Sequence, residues 1–231
     1  MTWPDRALVF DVESTGIDVF NDRIVQLFIG IANSNGDLVE QYEWLIDPGV
    51  EMSEEVQHLH GFTNEFLREN GVSPHKALWE ADLIFKKAVR ENLPVAAFNL
   101  NYDLSILTAE MARNELESGY GFWIADNVQL IDGLVIDRAK DKYRKGKRKL
   151  EFMAAHYGVP FDAEAAHNAA YDVEVTAKVT RAIVNKHGMM TNAEQAEAYR
   201  TWAVDFEKYL RRNDPAAEVD SNWPLRLKEE A

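Results

Sequence analysis

The feature that most constrains this chain is Ile24–Ala32, a β-rich and almost wholly apolar run. A turn signal, Asn33-Ser-Asn-Gly-Asp37, follows it, and Leu38–Ile46 then alternates in polarity. Together they predict a strand running into a hairpin. Ala7–Phe10 is a shorter apolar run ending at Asp11, and Pro94–Phe98 and Val128–Ile131 read as two more strands. Helical signals fill the gaps. Ser53 and Thr63 cap two short helices, and Ser73-Pro74 opens a long amphipathic one reaching about Asn92. Further helices are predicted from Tyr102 to about Leu116, over Leu150–Tyr157, from Asn168 to about Lys186, and over Thr191–Arg212. In the last of these, Trp202, Phe206 and Tyr209 form a stripe expected to dock on the core, with a partner surface as the alternative. Strands alternating with helices, opened by a hairpin, predict an α/β layered fold with a mixed sheet.

Composition narrows the chemistry. The 231 residues include no cysteine, which removes disulfide scaffolds, thiolate metal sites and cysteine nucleophiles. No apolar stretch approaches a membrane span, and the N-terminus lacks the pattern of a secretory leader, so a cytoplasmic protein with no membrane partner is expected. Lys and Arg number 25 against 39 Asp and Glu, a net charge of −14. That balance argues against nucleic-acid binding by blanket positive charge, though not against an enzyme that approaches phosphates through metal ions. The basic exception is Arg138–Lys149, with eight basic residues against one acid, Asp141. It reads either as a nucleic-acid contact or as a solvated loop.

Three segments carry candidate chemistry. Phe10-Asp-Val-Glu-Ser-Thr-Gly16 ends an apolar strand with Asp11 and Glu13 at i and i+2, on one face. Two carboxylates so close repel each other unless a cation lies between them. Phe98-Asn-Leu-Asn-Tyr-Asp103 leaves a strand and enters a helix, with Asn101 as a helix cap in the bland reading and Asp103 in the first turn. His167-Asn-Ala-Ala-Tyr-Asp172 places a histidine before a helix and an acid about one turn inside it. Each segment taken singly has an ordinary structural explanation.

Taken together and in this order, they resemble the DEDDh, or DnaQ-like, 3′→5′ exonuclease family. The family's Asp-x-Glu followed by Thr-Gly is matched by Asp11, Glu13, Thr15 and Gly16. Its Asn four residues before an Asp is matched by Asn99 and Asp103, and its His-x4-Asp by His167 and Asp172. His60-Gly-Phe-Thr63 is similar to the family's His-Gly-Ile-Thr, with phenylalanine for isoleucine. The resemblance runs from about residue 5 to 187 and implies a ribonuclease H-like fold with a five-stranded mixed sheet flanked by helices. It implies an exonuclease domain over 1–188 and a C-terminal helical extension and tail over 189–231. It further implies two Mg²⁺ or Mn²⁺ ions held by Asp11, Glu13, Asp103 and Asp172, with Asp11 as the bridge and His167 as general base. Ser14, Thr15, His60, Phe62 and Asn99 become candidate substrate contacts, each with capping or packing as its alternative. The implied reaction releases nucleoside 5′-monophosphates from DNA 3′ ends in proofreading or repair. The expected partners are single-stranded DNA with a free 3′ end and a DNA polymerase in trans. The alternatives are an exoribonuclease of the oligoribonuclease or ribonuclease T type, and a catalytically idle nucleic-acid- or polymerase-binding module.

Overall fold

The structure is a computed structural model that describes residues 2–116, 128–162 and 169–227. The predicted hairpin is present as β2 (Ile24–Asn33) and β3 (Leu38–Leu45), paired antiparallel. Asn33 Oδ1 closes its turn by accepting from the amides of Asn35 and Asp37 at 2.8 and 3.1 Å. Gly36 in this turn has φ +83°, and a Cβ there would lie 3.2 Å from Lys178 Cα, so both conformation and space call for glycine. β1 (Arg6–Ser14) pairs antiparallel with β2 and parallel with β4 (Val95–Ala97), and β4 pairs parallel with β5 (Leu130–Asp132). The order is β3-β2-β1-β4-β5, a five-stranded mixed sheet. β2 is buried almost throughout, whereas edge strand β3 alternates between exposed and half-buried, as its sequence does.

The helices are α1 (Glu54–His60), α2 (Asn64–Asn70), α3 (Pro74–Arg90), α4 (Leu100–Arg113), α5 (Gly133–Lys140), α6 (Leu150–Tyr157), α7 (Ala169–His187) and α8 (Asn192–Leu210). Ser53, Thr63 and Ser73 are the N-caps expected of them, each accepting an amide hydrogen from three residues on. α5 is a helix that the sequence did not announce. Its first half follows β5 without a break, because Asp132 ends the strand and caps the helix, accepting from Leu134 N and Val135 N. Side chains alternate across β1. Leu8, Phe10 and Val12 join one core cluster with residues of α3, α4 and α8, and Ala7 and Val9 join another with residues of α6 and α7. Among the described residues, no helix is long and apolar enough to cross a membrane.

The C-terminal segment is part of this core. The buried face of α8 is Gln195, Tyr199 and Ala203, and of the aromatic stripe Trp202 packs against the core whereas Phe206 and Tyr209 do not. Trp202 is half-buried, with the Arg138 guanidinium 3.7 Å from its ring centre, and Phe206 and Tyr209 remain 37% and 55% exposed. The buried face wins because Gln195 and Asn192 satisfy the free edge of β5. Gln195 Oε1 accepts from Asp132 N at 2.8 Å while its Nε2 donates to Leu130 O at 2.7 Å. Asn192 Oδ1 accepts from Leu130 N, and its Nδ2 donates to Val128 O. Two side-chain amides thus take the place of a sixth strand at an edge that would otherwise present bare backbone groups. Beyond α8 the chain, polar by composition, returns to bury Trp223 and Leu225 against the same core.

Candidate active site

Asp11 and Glu13 lie near the end of β1, the strand at the centre of the sheet, where it pairs with Phe28 and Gln26 of β2. The register shifts between Glu13 and Ser14, a bulge that turns the chain out of the sheet directly after the second acid. The loop that follows is tied down by its own side chains. Thr15 Oγ1 donates to Asp22 Oδ1 at 2.8 Å and accepts from Arg23 N at 3.0 Å. Ser14 Oγ and the Tyr102 hydroxyl lie 2.6 Å apart, and each is 2.7 Å from Gly16 O. A carbonyl only accepts, so at least one of the two hydroxyls gives it a proton. Burial pushes the Tyr102 phenol up to about 12, which keeps it protonated at neutral pH.

His60, at the end of α1, reaches this strand end. Its Nδ1 is 2.7 Å from Glu13 Oε2 and its Nε2 is 2.9 Å from Ser14 O. The ring is 6% exposed. Burial disfavours a charge on it, but the Glu13 carboxylate and the Ser14 carbonyl together outweigh burial and hold its pKa above the ordinary histidine value. His60 therefore braces Glu13. Phe62, two residues on, is half-buried, stacks with Phe66 at 5.9 Å and packs on Val25, Met52 and Leu67.

The strand-to-helix junction supplies the next acid. Asn99 is the N-cap of α4, in the left-handed region at φ 73°, and its side chain caps nothing. Asn tolerates that conformation better than other non-glycine residues. The cap is not Asn101, as the bland sequence reading had it. Asn101 is buried inside the helix, where Nδ2 donates to Asn222 O and Oδ1 accepts from Arg226 Nε and Tyr199 Oη. Asp103, one turn in, is 4% exposed.

The electrostatics show which acids have come together. Burial raises the Asp11 carboxyl well above the usual carboxylate range, and the charges of Glu13 and Asp172 raise it further. Burial also raises Asp103, reinforced by Asp11, Asp132 and Glu13. Among the described residues, no three histidine, aspartate or glutamate side chains converge into a ready-made metal cage. The donor set nevertheless suits hard divalent cations. It is all carboxylate oxygen, it includes two buried acids held against like charges, and Mg²⁺ keeps several waters and takes few protein ligands. His167 lies outside the described residues.

Two residues here escaped the sequence reading. Asp132, fully buried, has its carboxyl raised by burial and lies in the field of Asp103. Tyr102 joins α4 to the Ser14 loop. Asp132 was visible as an acid ending an apolar strand, the same signal that marked Asp11.

A 3-2-1-4-5 mixed sheet whose central strand, first crossover helix and flanking helix bring acids together is a ribonuclease H-like nuclease scaffold. The exonuclease family model, RNase_T, matches residues 8–180, and the chain belongs to that DnaQ-like exonuclease family. It is 30% identical over 194 residues to the PolC-type DNA polymerase III of Streptococcus thermophilus, covering 81% of this chain and 12% of that one. It is 24% identical over 220 residues to the PolC-type DNA polymerase III of Listeria monocytogenes, covering 95% and 14%. The chain therefore spans a small part of the length of these relatives. Among solved structures, exonuclease I from Methylocaldum szegediense shares the fold with a TM-score of 0.65 at 18% identity, covering 89% of this chain and 46% of that one. Escherichia coli exonuclease I in complex with a dT13 oligonucleotide does so with a TM-score of 0.63 at 16% identity, covering 91% and 44%.

Proposed function

We propose that this chain is a metal-dependent 3′→5′ exonuclease acting on single-stranded DNA ends. The observation that carries the reading is the convergence on Asp11, at the end of the central strand, of the charges of Glu13 and Asp172, with buried Asp103 in the field of Asp11 and Glu13: four acids from three separated segments of an exonuclease-family chain. In this reading those four residues hold two Mg²⁺ or Mn²⁺ ions. Bound there, the ions supply the Lewis acidity that activates water and offsets charge on the phosphate and the leaving oxygen. Asp11 and Asp103 are ionised in the loaded site, because a cation reverses the effect of their like-charged neighbours. His60 keeps the Glu13 carboxylate fixed. His167 takes the proton from the attacking water, for which an imidazole titrating near neutrality is suited. Asn99 and Phe62, with the loop of Ser14 and Thr15, receive the terminal nucleotide.

DNA is favoured over RNA by the polymerase context of the relatives and by the oligonucleotide bound to the solved exonuclease I, and a DNA polymerase acting alongside is the corresponding partner. The test is digestion of 5′-labelled single-stranded DNA and RNA of one sequence in Mg²⁺, Mn²⁺ and EDTA, with Asp11→Ala and His167→Ala alongside. The reading expects a metal-dependent ladder shortening from the 3′ end, faster on DNA and lost in both variants. A folded wild-type protein that cuts neither strand in either metal would refute it and leave the idle binding module.

A further inference from the structure

Two sets of side chains stand out in the basic segment 138–149. Arg144 and Arg148 turn inward to Asp137, which has no exposed surface. Its carboxylate accepts from Arg148 Nε at 2.6 Å, Arg144 Nη2 at 3.3 Å and the Tyr157 hydroxyl at 2.7 Å. Arg148 Nη2 also donates to Asp141 O at 2.7 Å. The loop after α5 is thereby pinned at its base to a buried charge. The second set points out. Lys142, Lys145 and Lys147 are exposed, and Tyr143 among them is 89% exposed. Lys147 Nζ stands 5.4 Å from the ring centre of Phe152, itself 41% exposed. Lys142 meets Asp205 at 3.4 Å, an exposed pair of little energetic weight.

We propose that Lys142, Tyr143, Lys145, Lys147 and Phe152 form a platform for the body of a single-stranded DNA substrate, on the 5′ side of the bond being cut. The proposal rests on the exonuclease reading above. Cations that track phosphates, set among aromatic faces on which bases stack, are the two components of a single-strand site. Here they form a fixed basic patch on a chain of net charge −14, so the patch is where a polyanion can approach. The pinned base also ties the loop to the far end of α7. Tyr157, which holds Asp137, also lies 3.0 Å from His187 Nε2 at the far end of α7, whereas Asp172 is in that helix's first turn. Fifteen residues of helix separate the two, about 22 Å at 1.5 Å per residue. At ~3.4 Å per stacked nucleotide, a strand needs about six or seven nucleotides to reach from one to the other.

The test compares wild type, the triple variant Lys142→Ala, Lys145→Ala, Lys147→Ala, and Tyr143→Ala on three substrates: the p-nitrophenyl ester of thymidine 5′-monophosphate, (dT)3 and (dT)20. The ester and the trimer are too short to reach the platform, so kcat/KM on both stays within about twofold of wild type. On (dT)20 the triple variant's KM rises about tenfold, and the salt slope of log kcat/KM falls by ~2, three lost phosphate contacts at roughly 0.7 each. Tyr143→Ala raises KM on (dT)20 about fivefold or more with the salt slope unchanged. An unchanged KM on (dT)20, or equal losses on trimer and 20-mer, overturns the platform. Should wild type cleave none of the three, the exonuclease reading fails. Fluorescence anisotropy of labelled (dT)20 in EDTA then decides the platform alone: a Kd about tenfold weaker in the triple variant supports it, and an unchanged Kd overturns it.

Discussion

Gln195→Met tests whether α8 belongs to the sheet or merely follows it. Gln195 is fully buried, and the substitution keeps nearly its length while removing its amide. Three partners lose a bond, unequally. Leu130 O and Met190 O each keep a contact from Gln129 Nε2, at 2.6 and 3.2 Å. Asp132 N has Gln195 Oε1 as its partner across the edge and is left without it. An orphaned buried amide costs about 1–3 kcal/mol, and a lost second bond at each carbonyl about 0.5 kcal/mol, so the sum is roughly 2–4 kcal/mol. For a chain of this size that lowers Tm by about 4–16 °C. The measurement is thermal unfolding in EDTA by circular dichroism, with a urea titration to check that m is unchanged. Gln195→Glu must do worse at pH 7, because it points a buried carboxylate at Leu130 O and Met190 O, which only accept. A Tm loss below about 2 °C for Met, or Glu milder than Met, would refute the idea that this amide closes the β5 edge.

Other expectations follow from the same contacts. Asp103→Asn abolishes nuclease activity yet raises Tm in EDTA, since it removes a charge that burial and Asp11 oppose; a lower Tm contradicts the like-charge account. Asp137→Asn lowers Tm at pH 7. The Tyr157 hydroxyl and the two arginines overcome burial and hold the Asp137 carboxyl below 3.8, so its contribution is present above that value and lost as pH falls through the depressed folded pKa. The Tm gap between wild type and this variant should accordingly close in acid below about pH 4, and a gap that widens there reverses the sign. Trp223→Ala empties a buried aromatic site under the tail at a cost of about 3–5 kcal/mol, read as a Tm loss of roughly 6–20 °C. Removal of residues 219–231 should cost at least as much if the tail is a strap on the core.

Much of the fold was legible because its signals are local. The apolar run of β2, the turn at Asn33–Asp37 and the caps Ser53, Thr63 and Ser73 each act within a few residues, and each formed as read. The acids were legible through the resemblance of three segments, in order, to the family's motifs, because each spacing taken singly has an ordinary structural explanation. α5 was not, because its start is a single aspartate with no glycine or proline ahead of it, and its end merges into a charge run. The stripe Trp202, Phe206 and Tyr209 was legible only in part, because periodicity identifies an apolar face but not its rivals. Trp202 packs against the core, but a buried amide bonded to a bare strand edge took the interior ahead of Phe206 and Tyr209.

By itself, the sequence determined the strands and every helix but α5, the acids Asp11 and Glu13 at the end of β1, and the family signature carried by Asp11, Glu13, Asp103, His167 and Asp172. Tertiary structure alone decided that the charges of Glu13 and Asp172 bear on Asp11, that those of Asp11, Glu13 and Asp132 bear on Asp103, and that His60 braces Glu13. It also sorted the basic run, burying Arg144 and Arg148 on Asp137 and leaving the lysines to solvent. The physical reason is the range of the forces. Propensity and capping act over a few residues and are written in order along the chain, whereas burial of a charge depends on what a distant segment brings to meet it.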